Sequence, residues 1–424
     1  MRKTYDVTII GGGSAGLAAA KAFKGTKTKV ALIERSHILG GILNQCIHNG
    51  FGLHVFKEML TGPEFAQRFI DDIDEKQLDL YLDTTVLDVN QENPFILICS
   101  SEYEGVYEIE SKTIILSSGC YERSRGAISI PGSRPNGIMT AGTAQKYLNI
   151  DGYLVGKNVF ILGSGDIGLI MARRMTLEGA KVLGVAEMMP YSNGLNRNIA
   201  QCLDDFDIPL YLSHTIVDIK GEKNLESVTI QQLDESFNPI EGTQKTFEVD
   251  TLLLSVGLIP DIKVFEHLDL TLNPITKSIN VNQNYQTSIP GIFACGNALH
   301  VHDLVDDVVI ESMRAGQAVL NYLSASQSPV TQNVKVLYDH HIRYVVPHHL
   351  NANYLLNEDL IFLFRTTQKF DEAFFIVKQD DKEIYRKKHR FIVPAEMNKI
   401  EIKRNDIDLS KDVSISLEEV KNEK

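Results

Sequence analysis

Tryptophan is absent from the 424 residues, and cysteine is scarce. The first absence excludes any monooxygenase signature built on an essential tryptophan. The five cysteines, Cys46, Cys99, Cys120, Cys202 and Cys295, stand at wide and irregular intervals. That is neither a disulfide framework nor a CxxC zinc pattern. Long apolar runs are missing too: none approaches the ~18 residues a membrane-spanning helix needs. Basic charge is in deficit, with 42 Lys and Arg against 55 Asp and Glu and a net charge of −13. Nucleic acid and anionic membrane surfaces reward clustered cations, so neither is expected as a general partner. The opening MRKTYDVTIIGGG has no signal-peptide core and enters a strand almost at once. A cytoplasmic, soluble protein with reduced thiols is the expectation.

What the chain has is an ordinary globular balance, 43% hydrophobic and 23% charged, at a length that suggests two or three domains. Two segments share one design. YDVTIIGGGSAGLAAAKAFKGTKTKVALIER (5–35) and KNVFILGSGDIGLIMARRMTLEGAKVLGVAE (157–187) each run from an apolar strand through a glycine-rich turn into a helix. A second apolar run and a glutamate follow. That is a βαβ unit written twice, which points to two nucleotide-binding domains.

In the first unit Gly11, Gly13 and Gly16 fill the GxGxxG positions, and Gly163, Gly165 and Gly168 fill them in the second. The first glycine permits the tight turn, the second lets backbone approach a pyrophosphate, and the third brings helix against strand. Phosphates would sit at the helix N-terminus, where free N–H groups and the helix dipole favour negative charge. Glu34 and Glu187, about 20 residues on, are placed to accept hydrogen bonds from ribose hydroxyls. Ser14, Ala15, Asp166 and Ile167 are assigned to cofactor binding with these glycines. From about residue 333, segments such as DLIFLFRTT and EAFFIVKQDD alternate like antiparallel strands, so 333–424 is expected as a small β domain with a fraying LEEVKNEK end.

The ordered motifs GGGSAG…Glu34, LSSGC, IPG, GSGDIG…Glu187, LLLSVGLIPD and IPGIFACGN resemble the two-dinucleotide-domain flavoproteins, the family of glutathione reductase, thioredoxin reductase and NADH oxidase. The resemblance covers residues 5 to about 323. It implies an α/β fold of two Rossmann-like three-layer domains. The FAD domain is expected from 1–118 and 285–330, with an NAD domain, 119–284, inserted. By resemblance, Arg35 lies beside the FAD ribose, Gly119 at the turn passing the adenosine, and Gly296 and Asn297 at the ribityl and phosphate. Gly40, Gly41 and Gly257 are assigned to the cofactors on the same ground. LGGILNQCIHNGFG, GCYERSRGAISIPG, GDIGLIMARR and CGNALHVHDLVD further resemble the α-type subunits of opine oxidase and hydrogen cyanide synthase. They also resemble an oxidoreductase found with glycerol-3-phosphate dehydrogenase.

Two departures matter. The family's Gly-Asp before the last helix is Gly296-Asn297 here, which keeps hydrogen-bonding capacity but loses the charge. The family's redox cysteines, with four residues between them after a Gly-Gly pair, align with Leu43 and His48, neither of which forms a thiolate. A dithiol relay within the chain therefore lacks its parts. The resemblance then implies hydride transfer between NAD(H) and FAD, with electrons passed to a second flavoprotein, an iron–sulfur subunit or a small acceptor. NAD is favoured over NADP because Met188 and Met189, not arginine, follow Glu187.

Cys46, His48, His300 and His302 are the candidate catalytic residues, since family geometry places them near the flavin. Asp303 stands either there or as a helix cap. No metal is expected: neither these residues nor the pairs His340-His341 and His348-His349 show ligand spacing. Two other readings stay open. Cys46 could serve a single-cysteine peroxide or disulfide reductase, if a positive charge lowered its pKa. The chain could also be a nucleotide-binding scaffold subunit without turnover of its own.

Overall fold

A computed structural model describes residues 3–74, 77–324, 333–352 and 358–420. The chain forms two compact units: Met1–Cys120 with Pro260–Lys424, and Tyr121–Ile259.

In the first unit a parallel core sheet runs Leu78–Tyr81, Val30–Ile33, Lys3–Ile10, Gly105–Leu116. Phe95–Ser101 and Thr84–Asn90 extend it antiparallel, and Ile292–Ala294 pairs with the far end of Gly105–Leu116. The VALI strand is buried throughout, as strands covered on both faces should be. The helices Ser14–Lys21 and Val305–Ser324 share one face of the sheet, with Ala15, Ala18, Ala19 and Ala315 in a common core. Small side chains let the two helices approach closely. The helix Gly62–Ile70 starts from a complete capping box, Thr61 with Glu64, which satisfies two otherwise orphaned amides.

The second unit is a five-stranded parallel sheet, Ile138–Thr140, Thr251–Leu254, Asn158–Leu162, Lys181–Glu187, Leu210–Leu212. The helix Asp166–Leu177 packs on it, and an antiparallel sheet of His214–Lys220, Ser227–Gln232 and Lys245–Glu248 adjoins it. The boundary expected at 284 falls at 259/260 instead. The reason is packing: Ile262, Phe265, Ile279 and Val281 are buried in one cluster with Ile292, Ala294 and Leu299 of the first unit.

Residues 333–419 form two sheets. One runs His349–Asn351, Asn333–Tyr338, Val413–Glu419, Phe370–Gln379, Lys382–Ile392; the other runs Ile342–Val346, Leu360–Thr366, Asn398–Ile402. Phe362, Phe364 and Phe375 centre their own core. Along Leu360–Thr366 buried and half-buried residues alternate, the period-2 pattern of a sheet covered on one face. These sheets nevertheless belong to the first compact unit rather than to a separate one. The expected fraying at 417–424 does not reach Leu417–Glu419, which lie in a strand; 421–424 are outside the described residues.

Candidate functional site

The two glycine-rich turns are built alike, atom for atom in several places. Gly11 and Gly163 have φ of +107° and +96°, values that L side chains rarely adopt. A Cβ on either would lie 2.5 Å from Ser117 O or 2.0 Å from Ser255 O, the carbonyl at the end of the third strand. A Cβ on Gly16 would lie 1.8 Å from Gly11 O, and one on Gly168 2.6 Å from Gly163 O. Gly13 differs: its nearest neighbour is Gly41 Cα at 4.0 Å, so this side of the turn is open. Gly13 and Gly165 are the N-caps of their helices and supply no side-chain cap. The amides that open each helix, Ser14, Ala15 and Gly16, and Asp166 and Ile167, stand where anions bind.

Each glutamate is tied back to its turn. Glu34 accepts from Gly12 N at 2.7 Å and Ser36 N at 2.8 Å. Glu187 accepts from Ser164 N at 3.0 Å, Ser164 Oγ at 2.7 Å and Met189 N at 3.0 Å. Both are buried, and a carboxylate has about four acceptor positions, so each keeps capacity for a ribose hydroxyl. Arg35 is exposed beside Glu34. Asp166 is turned away from its own helix amides: Oδ1 accepts from Leu195 N at 2.9 Å and Asn198 Nδ2 at 2.7 Å.

Two serines that the sequence reading passed over complete the repeat. Ser117 Oγ donates to Ile10 O and Gly11 O at 2.9 and 3.1 Å, and Ser255 Oγ accepts from Gly168 N at 3.1 Å. They sit in LSSG and LSVG, whose glycines, Gly119 and Gly257, have φ of +75° and +97°. The repeated LSxG was the available signal.

The Gly40-Gly41 pair is pinned to the first turn, with Gly40 N donating to Gly12 O at 2.9 Å. Gly41–Gln45 is a short 3-10 helix with Leu43 buried. Gly62 N donates to Cys46 O at 2.9 Å, which fixes the segment on the following helix. The Cys46 thiol donates to Ile42 O at 3.3 Å. His48 bonds Asn49 O through Nδ1 at 3.0 Å and packs on Phe51. Burial pushes the Cys46 thiol up to about 12, the opposite of the lowering that thiolate chemistry requires.

Asn297 uses both ends of its amide. Oδ1 accepts from His302 N at 3.0 Å, and Nδ2 donates to Cys120 Sγ at 3.7 Å. An aspartate could make only the first of these bonds. Asp303 is neither a helix cap nor free: it accepts from Arg365 Nη2 at 2.5 Å and from Met397 N at 2.6 Å. Arg365 also reaches Val301 O, Tyr344 Oη and Ala395 O. Asp306 anchors another loop, accepting the amides of Gly52, His54 and Val55 at 2.9–3.0 Å.

His300 and His302 come together, and a third group that the sequence reading missed joins them. His300 Nε2 lies 2.9 Å from Glu311 Oε2, His302 Nε2 lies 3.2 Å from Glu311 Oε1, and Gly296 N donates to that Oε1 at 2.7 Å. All three side chains are buried. Burial opposes charge on Glu311, but the two imidazoles outweigh it and hold the carboxyl well below the usual range. Burial also opposes charge on His302, yet Glu311 raises it, whereas burial wins at His300 and lowers it. Cys46 and His48 are not part of this cluster. The signal for Glu311 was its place on the helix: it shares the buried face with Val308, Ser312, Ala315 and Val319, where a lone acid needs a partner.

The sequence profile of the pyridine nucleotide-disulphide oxidoreductase family matches residues 5–318. The chain belongs to that family. It is an oxidoreductase whose cofactors are FAD and a nicotinamide dinucleotide. Dihydrolipoyl dehydrogenase of Acholeplasma laidlawii is 26% identical over 358 residues, 76% of this chain and all of that one. An alkyl hydroperoxide reductase component of Staphylococcus aureus is 26% identical over 76% of this chain and 59% of its own length. In fold, thioredoxin reductase of T. acidophilum superposes with a TM-score of 0.61 at 22% identity, over 76% of this chain and its whole length. Among the described residues no helix is long and apolar enough to cross a membrane.

Proposed function

We propose that this protein passes hydride between NAD(H) and FAD without a dithiol relay, and delivers the electrons to a partner protein or small acceptor. The observation that carries the reading is the state of the thiols. Leu43 and His48 occupy the positions of the family's redox pair, no two of the five cysteines stand at that spacing, and burial pushes the nearby Cys46 thiol up rather than down. The relatives are named for dihydrolipoyl and hydroperoxide substrates; this chain shares the nucleotide machinery and lacks paired thiols.

The residues fit both cofactors on their own geometry. In the first unit Gly11, Gly13 and Gly16, the amides of Ser14 and Ala15, Glu34, Arg35, Gly40, Gly41 and Gly119 would hold FAD, with Gly296 and Asn297. The open flank of Gly13 and the uncapped helix are the features that admit a pyrophosphate. In the second unit Gly163, Gly165, Gly168, the amide of Ile167, Glu187 and Gly257 would hold the dinucleotide. Asp166 contributes by fixing residues 195–198 rather than by contact. A buried Glu187 accepts ribose hydroxyls and repels a 2′-phosphate, which favours NAD over NADP. Bound together, the cofactors supply hydride transfer between the nicotinamide C4 and the flavin N5. The chain orients them and stabilises negative charge on the flavin with a helix N-terminus.

The quoted motifs shared with opine oxidase and hydrogen cyanide synthase α-type subunits, and with the glycerol-3-phosphate dehydrogenase partner, support a place in a two-subunit system. That system would oxidise glycerol 3-phosphate or an amino or hydroxy acid, and the sheets of 333–419 offer its docking surface. An anaerobic NADH titration tests the central step. One NADH per flavin should bleach the spectrum to completion, with no charge-transfer band from a thiolate. A second equivalent consumed, or such a band, refutes the dithiol-free reading; no bleaching leaves the scaffold reading in its place.

A further inference from the structure

We propose that His300, His302 and Glu311 form a binding site for one first-row divalent transition-metal ion, zinc being the ion this donor set suits best. Among the described residues theirs is the one group of three or more such side chains with ligand atoms all within 4.8 Å of one another. Two imidazole nitrogens and a carboxylate are the donors of zinc and non-haem iron centres, whereas magnesium and calcium sites use oxygen almost throughout. Donors bound to one ion at about 2.1 Å stand about 3–3.4 Å apart. The two nitrogen–oxygen distances here are 2.9 and 3.2 Å, each to a different oxygen of Glu311. Both carboxylate oxygens therefore face a ring nitrogen, and a carboxylate bound through both completes four donors.

A second observation points the same way. His302 is 9% exposed, and its Nε2 has no aligned hydrogen-bond partner although Glu311 Oε1 is only 3.2 Å away. A buried ring nitrogen left without an aligned hydrogen bond is destabilising unless another group or an ion satisfies it. An ion satisfies it, and Gly296 N–H still bonds the outer side of Oε1. Side-chain exposures of 0–3% leave no room for a substrate at the ion. The site is structural: it ties the loop Gly296–His302 to the helix Val305–Ser324, independently of the hydride chemistry proposed above.

The test uses the full-length flavoprotein. Metal analysis after gel filtration, and calorimetric titration with Zn²⁺ after chelator treatment, should each show one ion per chain. Glu311→Gln and His302→Asn should each weaken Zn²⁺ binding at least 10-fold, while His340→Ala, at an exposed histidine away from the cluster, should leave it unchanged. Flavin content and unfolding temperature report folding of every variant. Folded wild-type protein that takes up no stoichiometric Zn²⁺ overturns the proposal. So does binding that survives Glu311→Gln and His302→Asn or is lost with His340→Ala. None of these outcomes bears on the NADH titration, so the two proposals fail separately.

Discussion

Replacing the third glycine of each turn with alanine separates the two nucleotide sites. At Gly16 the new methyl would stand 1.8 Å from Gly11 O, against an ordinary carbon–oxygen contact of about 3.4 Å, so helix and turn must separate by more than 1 Å. Gly11 O belongs to the turn itself, and Ser117 Oγ, 2.9 Å from the same methyl, is tied to Gly11 O. Nothing flexible can yield. Overpacking of this kind costs about 1–3 kcal/mol, and the close approach puts Gly16→Ala at the upper end. Because the strain falls on the amides assigned above to the pyrophosphate, most of it should appear as lost FAD affinity, about 100-fold for ~3 kcal/mol. Gly168→Ala meets Gly163 O at a milder 2.6 Å. It should keep its flavin while the NADH concentration needed for half-bleaching rises about 10-fold. Flavin content after gel filtration, FAD titration by fluorescence quenching and anaerobic NADH titration read the two sites independently. Gly16→Ala protein that purifies fully yellow with unaltered FAD affinity would refute the assignment of the first turn.

Cys46→Ser should leave flavin reduction by NADH unchanged. With a thiol pushed up to about 12, the thiolate fraction at pH 8 is about 1 in 10,000, so alkylation of Cys46 should be slow; rapid labelling would sink the protonated-thiol reading. His348 is half-buried, with Nδ1 accepting from Val281 N at 3.1 Å, and desolvation of the ring lowers it to about 3. The unfolded chain then binds a proton below pH 6.5 that the native chain refuses. Stability is lost as pH falls, by about 2 kcal/mol at pH 5 from this group alone. His348→Asn, which keeps the acceptor, should remove that part of the slope in urea unfolding at pH 7.5 and 5; parallel slopes for both proteins would contradict it. Arg365→Met keeps the aliphatic stem but leaves Asp303, half-buried, without its guanidinium. A loss of about 3 kcal/mol is expected, and an unchanged urea midpoint would show the clamp to be slack.

How much of this could be read from the chain depended on whether a function was local in sequence. The glycine-rich turns, Glu34 and Glu187 were legible because a βαβ unit brings turn and acid together within about 20 residues, and because writing it twice removed chance. Ser117 and Ser255 belong to the same constructions but arrive from a third strand some 90 to 100 residues on, so only their shared LSxG could announce them. The division of the compact units at 259/260 rather than 284 was hidden for the opposite reason. Residues 260–284 carry no regular strand or helix pattern, and only burial of Phe265 and Val281 against Ile292 assigns them to the first unit. The histidines show the limit most clearly. Spacing gave His300-x-His302 no ligand meaning, because the third group lies nine residues further on, among Val308, Ser312, Ala315 and Val319 on the buried face of a helix. Yet Glu311 on that face was the anomaly to follow: a buried carboxylate implies a counter-charge, and the nearest candidates were the two histidines before the helix. Asn297 follows the same logic. Its departure from aspartate reads as a weakened cofactor contact from sequence, whereas in the structure the amide also donates to Cys120 Sγ, a bond aspartate cannot make.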